Sequence, residues 1–165
     1  MSTYTAKRFD FSDKHRGYAQ LAGDLEALLH GESDFIANAA NTAALLFDAL
    51  PAINWAGFYI LRDGALVVGP FQGKPACARI ALGRGVCGTA AERRETIVVP
   101  DVHEFPGHIA CDSASRSEIV VPLIAAQRLL GVLDIDSPRP RRFDEEDARG
   151  LERLAAIFLA ASEKN

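Results

Sequence analysis

Apolar positions recur every three to four residues near the N-terminus and every second residue further along. From His15 to His30, Tyr18, Leu21, Leu25, Leu28 and Leu29 fall on one helical face, and Gly31 ends the helix in a left-handed conformation. Ser33 to Leu50 reads as a second helix, with Ser33 as N-cap and Pro51 closing it. Its stripe is Phe35, Ile36, Ala39, Ala43, Leu46, Phe47 and Leu50. Residues 1–13 read as a loosely packed arm anchored by Tyr4, Phe9 and Phe11.

The period then becomes that of strands. Ile53 to Leu61 is β-rich, Asp63-Gly64 is a hairpin turn, and Ala65 to Gln72 returns as the partner. Gly73-Lys74-Pro75 opens a loop holding Cys77. A strand at Ile80 to Leu82, a short helix at Val86 to Arg93 with Cys87, and a strand at Thr96 to Val99 follow. A long polar loop from Pro100 to Ser117 carries Cys111. Glu118 to Ala126 and Leu129 to Ser137 form a second hairpin around Gln127-Arg128. The last helix starts at Asp144, stapled by Phe143, with Glu145, Glu146 and Asp147 favouring its positive N-terminus. Leu151, Leu154, Ala155, Phe158 and Leu159 form its buried face. Hairpins between terminal helices predict an α+β, three-layer domain: a central antiparallel sheet, N- and C-terminal helices on one face, and irregular loops on the other.

A chain of 165 residues with 48% hydrophobic and 24% charged residues is expected to form one soluble domain, its core spanning about residues 15–162. The net charge of −4 argues against a nucleic-acid surface. The basic residues Arg139, Arg141 and Arg142 read as a solvated turn facing the acidic run Asp144 to Asp147. No apolar run approaches the roughly 18 residues of a membrane span, and the N-terminus has no apolar signal core. The expected compartment is the cytoplasm, where thiols are kept reduced and cysteines are more often inert, metal-binding or catalytic than stapled.

Gly83-Arg84-Gly85-Val86-Cys87-Gly88 matches G-x-G-x-x-G, but the strands before it form a hairpin rather than a βαβ unit. It reads as a tight strand-to-helix turn. Cys77, Cys87 and Cys111 contain no C-x-x-C pair, which speaks against a structural zinc site, and no metal is expected. A small buried hydrophobe suits Cys87, while Cys111 sits among Asp112, Ser113, Ser115 and Arg116. Two loop cysteines and one helical cysteine suggest a redox pair with a spare. Asp134 and Asp136 share one strand face with Val132, while Leu133 and Ile135 point the other way. They mark either a solvated face or, with Glu118 on the partner strand, a convergent acid cluster. Clustered carboxylates raise one another's pKa, so one can stay protonated near neutrality. Trp55 and Tyr59 share a strand face, as core packing or as an aromatic wall for a small apolar group.

The segments NWAGFY (54–59), GPFQGKPAC (69–77), GRGVCG (83–88), VVPDVHEFPGHIACDSASRSEIVVPL (98–123) and GVLDIDSP (131–138) resemble the free methionine-(R)-sulfoxide reductases, which have a GAF fold. The resemblance implies that Cys111 is the catalytic cysteine, Cys77 its resolving partner and Cys87 a third cysteine whose role is auxiliary or absent, with Cys87 the alternative resolving thiol. It implies that Glu118, Asp134 and Asp136 surround the sulfoxide oxygen, and that Trp55 and Tyr59 enclose the methylthio end. Backbone N–H groups of the 107–111 loop, Ile109 and Ala110 among them, are expected to hold the substrate carboxylate. The family acts on the free amino acid, binds no cofactor, draws electrons from thioredoxin (ultimately NADPH, through thioredoxin reductase) and forms homodimers. Two other readings compete: a ligand-sensing GAF domain without chemistry, which predicts an attached signalling domain, and a thiol sensor whose disulfide is the output.

Overall fold

The computed structural model describes Thr5, residues 8–109 and residues 111–162. Tyr4 and Ala110 lie outside the described residues. In chain order the elements are α1 (Lys14–Leu29), α2 (Phe35–Ala49), β1 (Trp55–Arg62), β2 (Ala65–Gly73), β3 (Arg79–Ala81), α3 (Gly85–Arg93), β4 (Ile97–Val99), a 3₁₀ turn (Val102–Glu104), β5 (Ser117–Ala125), β6 (Arg128–Ser137) and α4 (Glu145–Ser162). The six strands form one sheet in the order β3-β2-β1-β6-β5-β4, with every neighbouring pair antiparallel.

Strand alternation divides the apolar residues between two clusters. Phe58, Ile119, Val121, Leu123, Leu133 and Ile135 pack against α1, α2 and α4. Tyr59, Val120 and Val132 face the other way, toward α3 and the loops. This is the expected three-layer arrangement, with α3 added on the loop side. Burial of the first face is nearly complete: Phe58, Ile119, Leu123 and Ile135 are each 0% exposed. A fully buried side chain of this kind contributes about 1.5–3 kcal/mol.

Helix ends show where local chemistry overrode the pattern. Asp34, not Ser33, caps α2, its carboxylate accepting from the Ala37 N–H at 2.8 Å. Carboxylate and hydroxyl side chains both serve at this position, so their adjacency left the start uncertain by one residue. Ile36 and Phe47 are 48% and 38% exposed, so neither belongs to the buried stripe. The inward face carries Asn38 and Thr42 instead, and Asn38 donates to Ser162 Oγ at 3.1 Å. The hairpin turn between β5 and β6 is Ala126-Gln127, one residue earlier than expected, with φ of 47° and 63°. No Gly or Asn marked these left-handed positions. Phe9 and Phe11 do pack on the core, Phe11 edge-on to Tyr18.

The solvated-turn reading fails for Arg142. Its Nε donates to the Pro51 carbonyl and its guanidinium reaches Asp147 at 3.2 Å. Asp147 is fully buried, and also accepts from Tyr18 at 2.8 Å and Lys14 at 2.6 Å. It closes a capping box as well, accepting from the Asp144 N–H while Asp144 accepts from the Asp147 N–H. One carboxylate thus ties α1, the 139–142 turn and α4 together.

Candidate active site

The site lies where the β1, β5 and β6 residues of the loop-side face meet the loops after β2 and β4. Register sets its floor. Glu118 on β5 pairs with Asp136 on β6, and Val120 pairs with Asp134. Trp55, Gly57 and Tyr59 on β1 lie opposite Asp136, Asp134 and Val132. Gly57 matters because a Cβ there would collide with Phe71. The β1–β2 pairing shifts register at this point, and Phe71 stacks on Trp55 at 5.1 Å between ring centroids.

The three acids converge, and the solvated-face reading is excluded: Glu118 and Asp134 are each 6% exposed, and Asp136 is half-buried. Burial drives all three carboxyls well above their usual range, reinforced by the charge of Asp136 on Glu118, of Glu118 on Asp134, and of Asp134 on Asp136. His108 Nε2 stands 3.6 Å from Glu118 Oε2, beyond good hydrogen-bond length. Burial pushes its imidazole down, favouring the neutral form, so His108 does little to hold Glu118 ionised.

Above this floor Cys77 and Cys111 are joined in a disulfide, their Cα atoms 5.8 Å apart. Cys87 is a free, buried thiol in the first turn of α3, with Sγ 3.8 Å from Glu118 Oε1. It is a buried small residue, as its position suggested, but it forms part of the acid pocket's wall rather than of an inert core. Trp55 and Tyr59 stack with centroids 5.9 Å apart and are almost fully buried. Both also line the cavity bounded by Cys111, Glu118, Asp134 and Asp136. Core packing and a cavity wall are therefore one arrangement here. Their polar ends have a task no pattern announced: Trp55 Nε1 donates to the Lys74 carbonyl at 3.1 Å, and Tyr59 to the Cys77 carbonyl at 3.0 Å. The two aromatics fasten the Cys77 loop to the sheet.

The G-x-G-x-x-G segment is a turn, as expected. β3 is antiparallel to its neighbour, and Gly83 N–H donates back to the Gly88 carbonyl at 2.8 Å. Arg84 occupies the N-cap of α3 without a side-chain capping bond, and Gly85 and Val86 line the cavity. Ile109 also lines it, its side chain lying over Gly85.

A GAF domain is matched over residues 36–161. The chain is 56% identical over 144 residues to the free methionine-R-sulfoxide reductase of Escherichia coli (strain K12), covering 87% of each protein. The chain belongs to the free methionine-R-sulfoxide reductase family. It is 46% identical over 147 residues to the family member of that name from Saccharomyces cerevisiae (strain ATCC 204508 / S288c), with 84% of this chain and 82% of that protein covered. Its fold matches the X-ray structure of free methionine-R-sulfoxide reductase from Neisseria meningitidis in complex with its substrate, with a TM-score of 0.91, 46% identity and 96% of both chains covered.

Sequence reasoning missed a clamp beneath the Cys111 loop of this family member. Asn54 donates to Asp112 Oδ2 and Ser115 Oγ, both at 3.1 Å. Asp112 also accepts from the Ala114 N–H at 2.9 Å and lies 3.7 Å from Lys74 Nζ. The Ala114 bond leads in holding the Asp112 carboxyl below its usual range, and Lys74 and Asn54 add to it. Asn54 immediately precedes β1, and an asparagine at a strand start carries no signal of a partner nearly sixty residues away.

Proposed function

We propose that this chain reduces free L-methionine-(R)-S-oxide to L-methionine, with Cys111 as nucleophile and Cys77 as resolving thiol. The observation that carries the reading is a cysteine pair seated over a floor of buried carboxyls that favour their protonated forms. The Cys111 thiolate attacks the sulfoxide sulfur. Glu118 or Asp134 protonates the oxygen, which otherwise leaves poorly. The protonated oxygen then passes as hydroxyl to the Cys111 sulfur while the bond between that sulfur and the substrate sulfur breaks, so methionine departs and Cys111 becomes a sulfenic acid. The Cys77 thiol displaces water from it, forming the disulfide, and thioredoxin returns that disulfide to two thiols. NADPH reduces thioredoxin in turn through thioredoxin reductase, and no bound cofactor takes part.

Trp55 and Tyr59 enclose the methylthio end, and the acids attract the ammonium group. For the carboxylate, the 107–111 loop N–H groups are joined by the uncapped first turn of α3, where the helix dipole favours an anion. A peptide-bound methionine sulfoxide lacks both charges, so the free amino acid is preferred. The chain works as a homodimer in the cytoplasm on this reading.

The test offers free R-sulfoxide, the S epimer and an N-acetylated peptide analogue to the protein with thioredoxin, its reductase and NADPH. Turnover of the free R epimer alone supports the reading. Binding without NADPH consumption would favour a ligand sensor instead.

A further inference from the structure

We propose that the floor of the cavity is also a binding site for one divalent cation of the zinc class, held by Cys87, Glu118 and Asp134. Each of these residues offers one ligand atom, and the three atoms lie within 4.8 Å of one another. Cys87 Sγ and Glu118 Oε1 are 3.8 Å apart. Around tetrahedral zinc, with Zn–S near 2.3 Å and Zn–O near 2.0–2.2 Å, adjacent donors stand about 3.4–3.6 Å apart. The sulfur–oxygen pair needs to close by only a few tenths of an ångström.

The donors stand on rigid elements. Glu118 and Asp134 belong to adjacent central strands, and Cys87 to the buried first turn of α3. A site built on helices and strands keeps its geometry better than one built on loops. His108, which lines the same cavity near Glu118, is placed to approach as a fourth donor.

A second observation points to a ligand. Asp134 is 6% exposed, and its Oδ1 has no hydrogen-bond partner among the described residues. A buried oxygen left unmatched is costly, and a cation relieves that cost directly. Recognition of an ammonium group explains the carboxylates but gives no role to the thiol. Sulfur beside two carboxylate oxygens selects zinc-like ions over magnesium or calcium. The absence of a C-x-x-C pair spoke against a structural zinc site, whereas these ligands converge from three separate elements.

The site is independent of the redox pair, because Cys87 is free while Cys77 and Cys111 are joined. The oxidised protein therefore retains all three donors. A bound cation holds Glu118 and Asp134 as carboxylates and occupies the substrate's place. This consequence, and only this one, rests on the proposed reductase reading: zinc inhibits sulfoxide reduction by competing with substrate.

The experiment uses metal-stripped, disulfide-oxidised protein titrated with Co²⁺, followed by displacement with Zn²⁺. The expected result is one equivalent bound, with a thiolate-to-cobalt charge-transfer band and the visible absorption of a four-coordinate ion. The band is absent in Cys87→Ser, and affinity falls at least tenfold in Asp134→Asn. Glu118→Gln serves as the carboxylate test should Asp134→Asn not fold by circular dichroism. No charge-transfer band in the wild type, or an unchanged titration in Cys87→Ser, overturns the site. A cobalt site in a protein that reduces no sulfoxide leaves the site standing and removes the inhibition. Sulfoxide reduction without cobalt binding removes the site alone.

Discussion

Tyr59 holds Cys77 by its backbone. The phenol of a central strand donates to the Cys77 carbonyl at 3.0 Å, and the buried ring stacks on Trp55. Burial, followed by the negative field of Asp134, pushes the phenol upward, so the group remains a donor throughout the working pH range. Cys77 is thereby tied to the same strand that walls the cavity.

Tyr59→Phe keeps the ring and removes this one bond. A single hydrogen bond contributes about 0.5–1.5 kcal/mol, equivalent to a roughly 2- to 12-fold effect. Formation of the Cys111 sulfenic acid in a single turnover should be nearly unchanged. The following disulfide step, read by quenching and mass spectrometry, should slow by a factor in that range.

Glu118→Gln removes a buried acid assigned to proton delivery. Loss of general acid catalysis lowers rate by about 10²–10⁴-fold, so kcat with thioredoxin should drop to that extent while the fold persists. Asp134→Asn should do the same if the pair shares the proton.

The same acids give a pH signature. Their folded pKa values are raised, so their contribution to stability is fully present below the unfolded carboxyl pKa of about 4 and is lost as pH rises through the folded values. Urea unfolding at a series of pH values should show wild-type stability declining on that alkaline side, with a flatter profile in Glu118→Gln. Activity should fall in the same direction, because the donor loses its proton.

Asn54→Ala releases the Asp112–Ser115 clamp. Asp112 keeps the Ala114 N–H, but the buried Ser115 hydroxyl loses its partner, at a cost of about 1–3 kcal/mol. Thermal unfolding should move down accordingly, and limited proteolysis should cut the 100–116 loop faster than in the wild type.

Asp147→Asn tests the architecture apart from the chemistry. It weakens the partner of Lys14 and Arg142 at a fully buried point. Removing one partner of a buried ion pair destabilises by about 3–5 kcal/mol. Denaturant midpoints should fall strongly, with kcat per folded molecule unchanged.

Much of this was legible because period-two patterning has few alternatives when one sheet face is buried. Leu133 and Ile135 on one side, Val132 and Asp134 on the other, follow from alternation alone, and Glu118 opposite Asp136 follows from the hairpin. Caps and turns slipped by one residue where neighbouring side chains compete for the same role, as at Ser33 and Asp34, or where a left-handed turn uses no glycine, as at Ala126-Gln127. Long-range polar contacts were illegible. Nothing in a linear sequence joins Arg142 to Pro51, Asn54 to Asp112, or His108 to Glu118. Arg142 looked solvated because its nearest acids are local, whereas its decisive partners are a carbonyl ninety-one residues away and one buried carboxylate.

The central claim is that Cys111 reduces free methionine-R-sulfoxide and Cys77 captures the product. The most direct measurement mixes fully reduced protein with R-sulfoxide in the absence of any reductant, then counts methionine formed and disulfides made. The account predicts one methionine and one Cys77–Cys111 disulfide per chain from the R epimer, and none from Cys111→Ser. An equal yield from Cys111→Ser, or methionine formed without that disulfide, would contradict it.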